Sequence, residues 1–521
     1  MSGYNRAFYV DRGVTMVKTL TKSITAIFAL ILLAFCAGQV KEPSVSEDER
    51  VRTQQVLDSI SGNVLLNYVQ KLSSEDYAGR LSGMPEYKAC ANWVASLFKQ
   101  WGLKPGGDND TYLQSYPNPY TTVFVGGELS YSFKSNGRSR KKNYAYEKEY
   151  YPGSQSGNGK RTAEVVYAGY GISAPELNYD DYADVNVKGK IVLIEPEVPI
   201  TPDEDSQLYK EWRPYSFPQY KIKMAVAQGA KGMLINDLTV NPNIDYVLGF
   251  MVAQVGDTVI KDVFAGTGKT HNQVIAKIKS SLQPQSFPTR KTFTIENFTE
   301  HNKNGTGYNV LGLIEGSDPL LKNEVIVLGA NLDHCGFCYE VIPGANDNAS
   351  GMAVLLGVAE GLTKSSLKPK RSILFIGFGS KEQALKGSHA YLENPLFPKN
   401  KTVVFLNLDM VGCGNTIKAL AGSNYPELWP YISHANSKTA KVSMDPLPYS
   451  SISRPRYDAD LFLAKKIPSM IFTASGAPTY PHTTKDTTQT ITPQIMEDMA
   501  RILFRAILDL ANTDHDFFNP K

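Results

Sequence analysis

From Glu324 onward the chain alternates short apolar runs with helical stretches: strand Glu324 to Gly329, helix Gly351 to Leu362, strand Ser372 to Phe378, helix Glu382 to Leu392 and strand Thr402 to Leu408. A further strand, Ser469 to Thr473, leads to an amphipathic helix from Pro493 to Leu510. This rhythm limits the fold more than any other feature. Parallel strands need long crossovers, and a helix in each crossover covers a face of the sheet, so the strands themselves become continuous apolar runs. The expected class is α/β, a doubly wound and mostly parallel sheet.

Upstream the pattern differs. Residues 47 to 103 carry helical periodicity, with Val56, Ile60, Val64, Leu65 and Val69 on one face and Ala91, Trp93, Val94, Leu97 and Phe98 on another. Residues 115 to 160 are rich in Tyr, Ser and Gly, and short strands follow at Glu164 to Ala168 and Lys190 to Glu195. One helical piece, Tyr220 to Gly229, precedes the apolar run Gly232 to Ile235, and the polar residues 276 to 305 read as a return linker. The expected organisation is a signal segment and linker over 1–45, a helical N-terminal part of the main domain over 46–125, a β-rich insert over 126–289, and the main α/β domain over 290–521.

In an open α/β sheet, ligands gather beyond the carboxyl ends of the strands. There the chain places Asn331-Leu332-Asp333-His334, then Gly344-Ala345-Asn346-Asp347-Asn348 at the mouth of a helix. Gly379-Ser380-Lys381-Glu382 ends the next strand, Asn407-Leu408-Asp409-Met410 the third, and a late loop carries His482-Thr483-Thr484-Lys485-Asp486. An isolated Asp before a helix is ordinarily an N-cap, and an isolated Glu is ordinarily solvated. Two Asp, one Glu and one His converging at strand ends are instead a ligand set suited to Zn²⁺.

This arrangement resembles the di-zinc aminopeptidases of the leucyl aminopeptidase and glutamate carboxypeptidase type, in the subgroup with an inserted protease-associated domain. Gly79-Arg80-Leu81-Ser82-Gly83 is similar to the family's N-terminal Gly-Arg-x-x-Gly. Ala168-Gly169-Tyr170-Gly171-Ile172, Tyr179-Asp180-Asp181-Tyr182 and Val187-Lys188-Gly189-Lys190 resemble its inserted domain. The resemblance implies a fold of the zinc-exopeptidase type with that β-rich insert at 126–289. It also implies release of N-terminal residues from peptides, with zinc as Lewis acid. By position, Asp347 takes the place of the carboxylate bridging two zinc ions. Glu382, Asp409 and His482 take other metal-ligand positions, and Asp333 that of the carboxylate orienting a first His ligand.

Two positions depart from the family pattern. Where it has Ala-His-x-Asp, this chain has Ala330-Asn331-Leu332-Asp333, and where it has Gly-Glu-Glu, this chain has Ser380-Lys381-Glu382. A neutral amide is a poor zinc ligand beside imidazole, which weakens the site at Asn331, Asp347 and Asp409, whereas Asp347, Glu382 and His482 keep three ligands. A lysine at the general-base position, Lys381, accepts no proton while it is an ammonium, and loss of a general base typically costs on the order of 10²- to 10⁴-fold in rate. Its charge is expected to neutralise Asp347 or Asp409 in place of a metal ion. Both departures predict a catalytically impaired or inactive homologue holding at most one zinc ion where the family holds two. The alternative is an active metallo-aminopeptidase using one zinc, or a ligand set rearranged around His334 and the cysteines.

The remaining features bear on place and partners. Two lysines precede an apolar run from Ile24 to Ala37, too short to span a membrane, which reads as a secretory signal. Leu33-Ala34-Phe35-Cys36 resembles a bacterial lipoprotein processing site, although Phe35 stands where a small residue is expected. The expectation is export as a periplasmic or cell-surface lipoprotein, with free secretion as the alternative and membrane contact only through the lipid anchor. With 54 basic against 51 acidic side chains the net charge is +3, which argues against nucleic acid as a partner and leaves peptides or small proteins. Cys335, Cys338 and Cys413 fall near the expected site, where packing or a disulfide is weighed above metal ligation.

Overall fold

The structure, a computed structural model, describes residues 46–201, 207–242, 246–449 and 456–518; the expected signal segment and Cys36 lie outside them. No helix among the described residues is long and apolar enough to cross a membrane.

The alternating region forms a nine-stranded mixed sheet. Ser372–Phe378, Val325–Asn331, Thr402–Leu408 and Ser469–Ser475 lie side by side and parallel, and Thr306–Ile314 flanks them antiparallel. Every residue of the first three is buried, which is why the sequence shows unbroken apolar runs rather than period-two alternation. Their side chains divide between two cores. Ile326, Leu328 and Phe375 pack with helices Ser350–Lys364, Pro493–Asn512, Gly62–Leu72 and Pro85–Gln100, while Val327, Leu374 and Phe405 pack with Tyr391, Leu392 and Phe462 on the other face. With helices on both faces, the buried central strands break into polar residues at their carboxyl ends.

A ten-stranded second sheet is built mainly from the segment between Tyr120 and Asn302. The polar segment read as a linker is in fact helix His271–Ser281 followed by strand Phe287–Asn302. That strand pairs with Tyr120–Ser135 on one side and Gly159–Tyr167 on the other. It buries Phe293, Ile295 and Asn297 while turning much of its length to solvent, so polar residues dominate without marking a loop. The hairpin of Phe337–Cys338 and Glu340–Val341, which follows the ligand-bearing end of Val325–Asn331, also joins this second sheet through Cys338 and Val123.

Candidate metal centre

The expected helix from Glu382 begins only at Lys386. Asp333 is the reason. Its Oδ1 accepts a hydrogen bond from the Lys381 backbone N–H at 3.0 Å, and its Oδ2 accepts one from that of Glu382 at 3.1 Å. These anchors hold a non-helical turn in which Ser380, Ala384 and Leu385 adopt positive φ, and both side chains point back over the sheet edge. The Asp333 carboxylate thus positions the Lys381-Glu382 backbone and makes no bond to the Asn331 side chain, which meets only the Asp333 carbonyl.

Asn331 is tied up elsewhere. Its Oδ1 accepts from Asn348 Nδ2 at 2.8 Å, and its Nδ2 donates to the Asp333 carbonyl at 3.1 Å. Asn348 also donates to the Leu408 carbonyl and accepts from the Met410 and Gly351 backbone, so it stitches two strand ends to the start of a helix. The Asn331 amide is therefore a structural link, and its oxygen is already used.

The charged side chains do converge. Lys381 Nζ lies 3.3 Å from Asp347 Oδ1, 3.0 Å from Glu382 Oε1 and 3.1 Å from Asp409 Oδ2. His482 Nε2 sits 3.3 Å from Asp347 Oδ2 and 3.2 Å from Glu382 Oε2. Asp347 and Glu382 each give one oxygen to the ammonium and the other to the imidazole. Asp347 is held in turn by Asp486, whose carboxylate accepts from the Asn346 and Asp347 backbone N–H groups at 2.8 and 2.9 Å.

Electrostatics follow from this packing. Burial opposes the charge on Lys381, but Asp347, Asp409 and Glu382 outweigh it and hold its pKa well above the ordinary lysine value. Burial likewise opposes ionisation of Asp347 and Glu382, yet Lys381 wins, taking Asp347 well below the usual range and Glu382 down to about 2. For Asp409 burial prevails over Lys381 and the carboxyl is pushed up to about 6. These three carboxylates favour the charged form of Lys381.

Further residues frame the site, and of these Val240 carried no mark in the sequence. Val240, from the second sheet's segment, accepts at its carbonyl from His482 Nδ1 at 2.8 Å and donates its own N–H to the His482 carbonyl at 2.8 Å. Arg80 lies buried beneath the site, donating to the carbonyls of Leu72, Leu332, Pro343 and Gly344; its place in the Gly-Arg-x-x-Gly motif was the available signal. His334 is fully buried, and neither ring nitrogen has a hydrogen-bond partner. Burial drives its pKa down to about 3, so the imidazole is neutral. Cys335, Cys338 and Cys413 are free, buried thiols rather than a disulfide pair; Cys335 and Cys338 pack among Val123, Tyr151, Val240 and Ile342.

One group of donors is placed so that it could hold a metal ion. Ligand atoms of His334, Asp347, Glu382 and His482 all lie within 4.8 Å of one another. Of the other set, Asp347 and Asp409 contact the Lys381 ammonium instead, and the Asn331 amide oxygen is bonded to Asn348.

Residues 309–507 match the sequence profile of peptidase family M28. Leupeptin-inactivating enzyme 1 of Streptomyces exfoliatus is 35% identical over 141 residues, 26% of this chain and 29% of that protein. An aminopeptidase of Pseudomonas aeruginosa is 26% identical over 360 residues, 67% of this chain and 57% of its own length. The chain thus spans about a third to a little over half of these relatives. The solved structure of BSAP, a zinc aminopeptidase from Bacillus subtilis, shares the fold with a TM-score of 0.55 at 21% identity, covering 87% of this chain and 96% of that one.

Proposed function

We propose that this chain, whose residues 309–507 match the profile of peptidase family M28, is a homologue of the zinc aminopeptidases in which an internal ion-pair cluster replaces the two-metal hydrolytic centre. It binds peptides or small proteins and does not cut them at an enzyme's usual rate. One observation carries the reading: the Lys381 ammonium, 3.0–3.3 Å from Glu382, Asp409 and Asp347, stands at the general-base position and occupies the space between the carboxylates. Asp347, Glu382 and His482 are the residues that would hold a single zinc ion. When bound, that ion supplies Lewis acidity toward a carbonyl oxygen.

The chain's own groups do not complete a hydrolytic cycle. A base must be unprotonated at working pH to draw a proton from an attacking water, and Lys381 is held charged by its three partners. Asp347 and Glu382 have both oxygens engaged with Lys381 and His482. Asp409 faces the same ammonium. The apolar run ending at Cys36 supports export, with the lipid anchor as the membrane contact. The segment with the second sheet is proposed to be a protease-associated insert, on the motifs Ala168 to Ile172 and Tyr179 to Tyr182.

The test is turnover of aminoacyl-anilides with added Zn²⁺ by wild type, Asn331→His, Lys381→Glu and the double variant. The double variant should gain activity far beyond the sum of the singles, as expected for residues that act as a unit. Wild-type turnover on the order of 10 s⁻¹ would overturn the reading and leave an active one-zinc peptidase in its place.

A further inference from the structure

We infer that His334 has taken over the metal-ligand role that Asn331 cannot fill, so that His334, Asp347, Glu382 and His482 form a closed four-ligand site for one zinc ion, structural rather than hydrolytic. The inference rests on the one-ion reading above and adds a ligand to it. Its starting point is the state of His334, an imidazole sealed from solvent with both ring nitrogens unpartnered. A buried polar group without a partner costs about 1–3 kcal/mol, so a site that retains one is built for a partner. One ring nitrogen lies within 4.8 Å of the donor atoms of the other three side chains.

The spacing suits zinc. Four ligands on arms of about 2.0–2.1 Å in a tetrahedron stand roughly 3.3 Å apart. His482 Nε2 is 3.3 Å from Asp347 Oδ2 and 3.2 Å from Glu382 Oε2. His482 is set for ligation by its other nitrogen, since Nδ1–H donates to the Val240 carbonyl and leaves Nε2 facing the carboxylates. His334 is seated against Gly344, where an added Cβ would lie 2.4 Å from ring carbon Cδ2, so the absence of a side chain at Gly344 makes room for the ring. Two nitrogens and two carboxylate oxygens form an ordinary zinc donor set, and four protein ligands leave no open position for substrate. The charges also close: Zn²⁺ with the Lys381 ammonium balances Asp347, Glu382 and Asp409. Lys381 thereby serves as a tethered second cation on the remaining oxygens of the same two carboxylates.

Metal analysis after dialysis of the full chain should find one zinc ion per chain. In the cobalt-substituted wild type, proton NMR should show two hyperfine-shifted, exchangeable imidazole protons, from His334 and His482. His334→Gln should lower Zn²⁺ affinity at least 10-fold, while Cys335→Ser leaves it unchanged. No bound ion, a single shifted imidazole proton, or shifted cysteine β-protons would each overturn the His334 site. The wild-type measurements stand even if His334→Gln fails to fold. Anilide turnover on the same samples is read separately: turnover at an enzyme's rate sinks the non-hydrolytic reading whatever the metal count, and a missing or differently ligated metal sinks this one whatever the turnover.

Discussion

Lys381→Met keeps the aliphatic stem and removes the charge at the centre of the site. At about 3.1 Å and an effective dielectric near 20, each of the three ammonium–carboxylate contacts is worth roughly 5 kcal/mol before desolvation. Taking the charges out of water cancels most of that. Stripping one partner from a buried ionic cluster nevertheless costs about 3–5 kcal/mol, because the surviving charges stay buried without compensation. For a domain of this size that lowers the apparent Tm by on the order of 10 °C. Two controls identify the cause. Without the ammonium, the folded-state pKa values of the carboxyls rise above their unfolded values, so the folded state binds more protons and the deficit should shrink as pH falls from 7.5 to 5. Zn²⁺ at about 100 times its Kd should return roughly 2.7 kcal/mol by mass action, since a cation resupplies the lost charge. The assay is thermal and urea unfolding at pH 7.5 in chelator, at pH 7.5 with Zn²⁺, and at pH 5. A variant within 2 °C of wild type at pH 7.5 in chelator, by the same size scaling, would refute the claim that Lys381 neutralises the cluster.

Arg80→Met strands the carbonyls of Leu72, Leu332, Pro343 and Gly344 and should cost at least about 3 kcal/mol in urea unfolding; a loss below 1 kcal/mol would show that water replaces the guanidinium freely. In the second sheet's segment, burial pushes Asp181 up to about 7 against the hydrogen bonds from Ile172, Tyr179 and Tyr170. Its folded pKa lies above its unfolded one, so this contribution to stability is full below about pH 4 and is lost as pH rises toward 7. Asp181→Asn removes that slope, and its deficit relative to wild type should be larger at pH 5 than at pH 8; equal deficits would contradict it.

The strand ends were legible because uniformly buried strands break sharply into polar residues, and the topology then brings Asp347, Glu382, Asp409 and His482 to one edge. What sequence could not reveal depends on backbone groups and distant partners. The late start of the helix at Lys386 comes from Asp333 taking two backbone N–H groups, an effect no local propensity encodes. Strand Phe287–Asn302 looked like a linker because its burial comes from two neighbouring strands far off in sequence. His334 entered only as part of an alternative ligand set, and its unpartnered burial is seen only in the fold. The Val240 contact is a main-chain one, invisible to any motif.

That contact has a thermodynamic consequence. Val240 grips His482 through both its N–H and its carbonyl, and the Phe337–Cys338 hairpin ties the loop after His334 to the second sheet. The His482 site and the second sheet are thus joined by direct bonds. Any molecule whose binding to the second sheet strengthens the Val240 grip by a given factor must, by reciprocity, be bound that same factor more tightly when the His482 site is filled, and one that loosens the grip must be expelled by filling it. Couplings of this kind typically amount to about 1–3 kcal/mol, which is enough for occupancy of the His482 site to report what has bound at the second sheet.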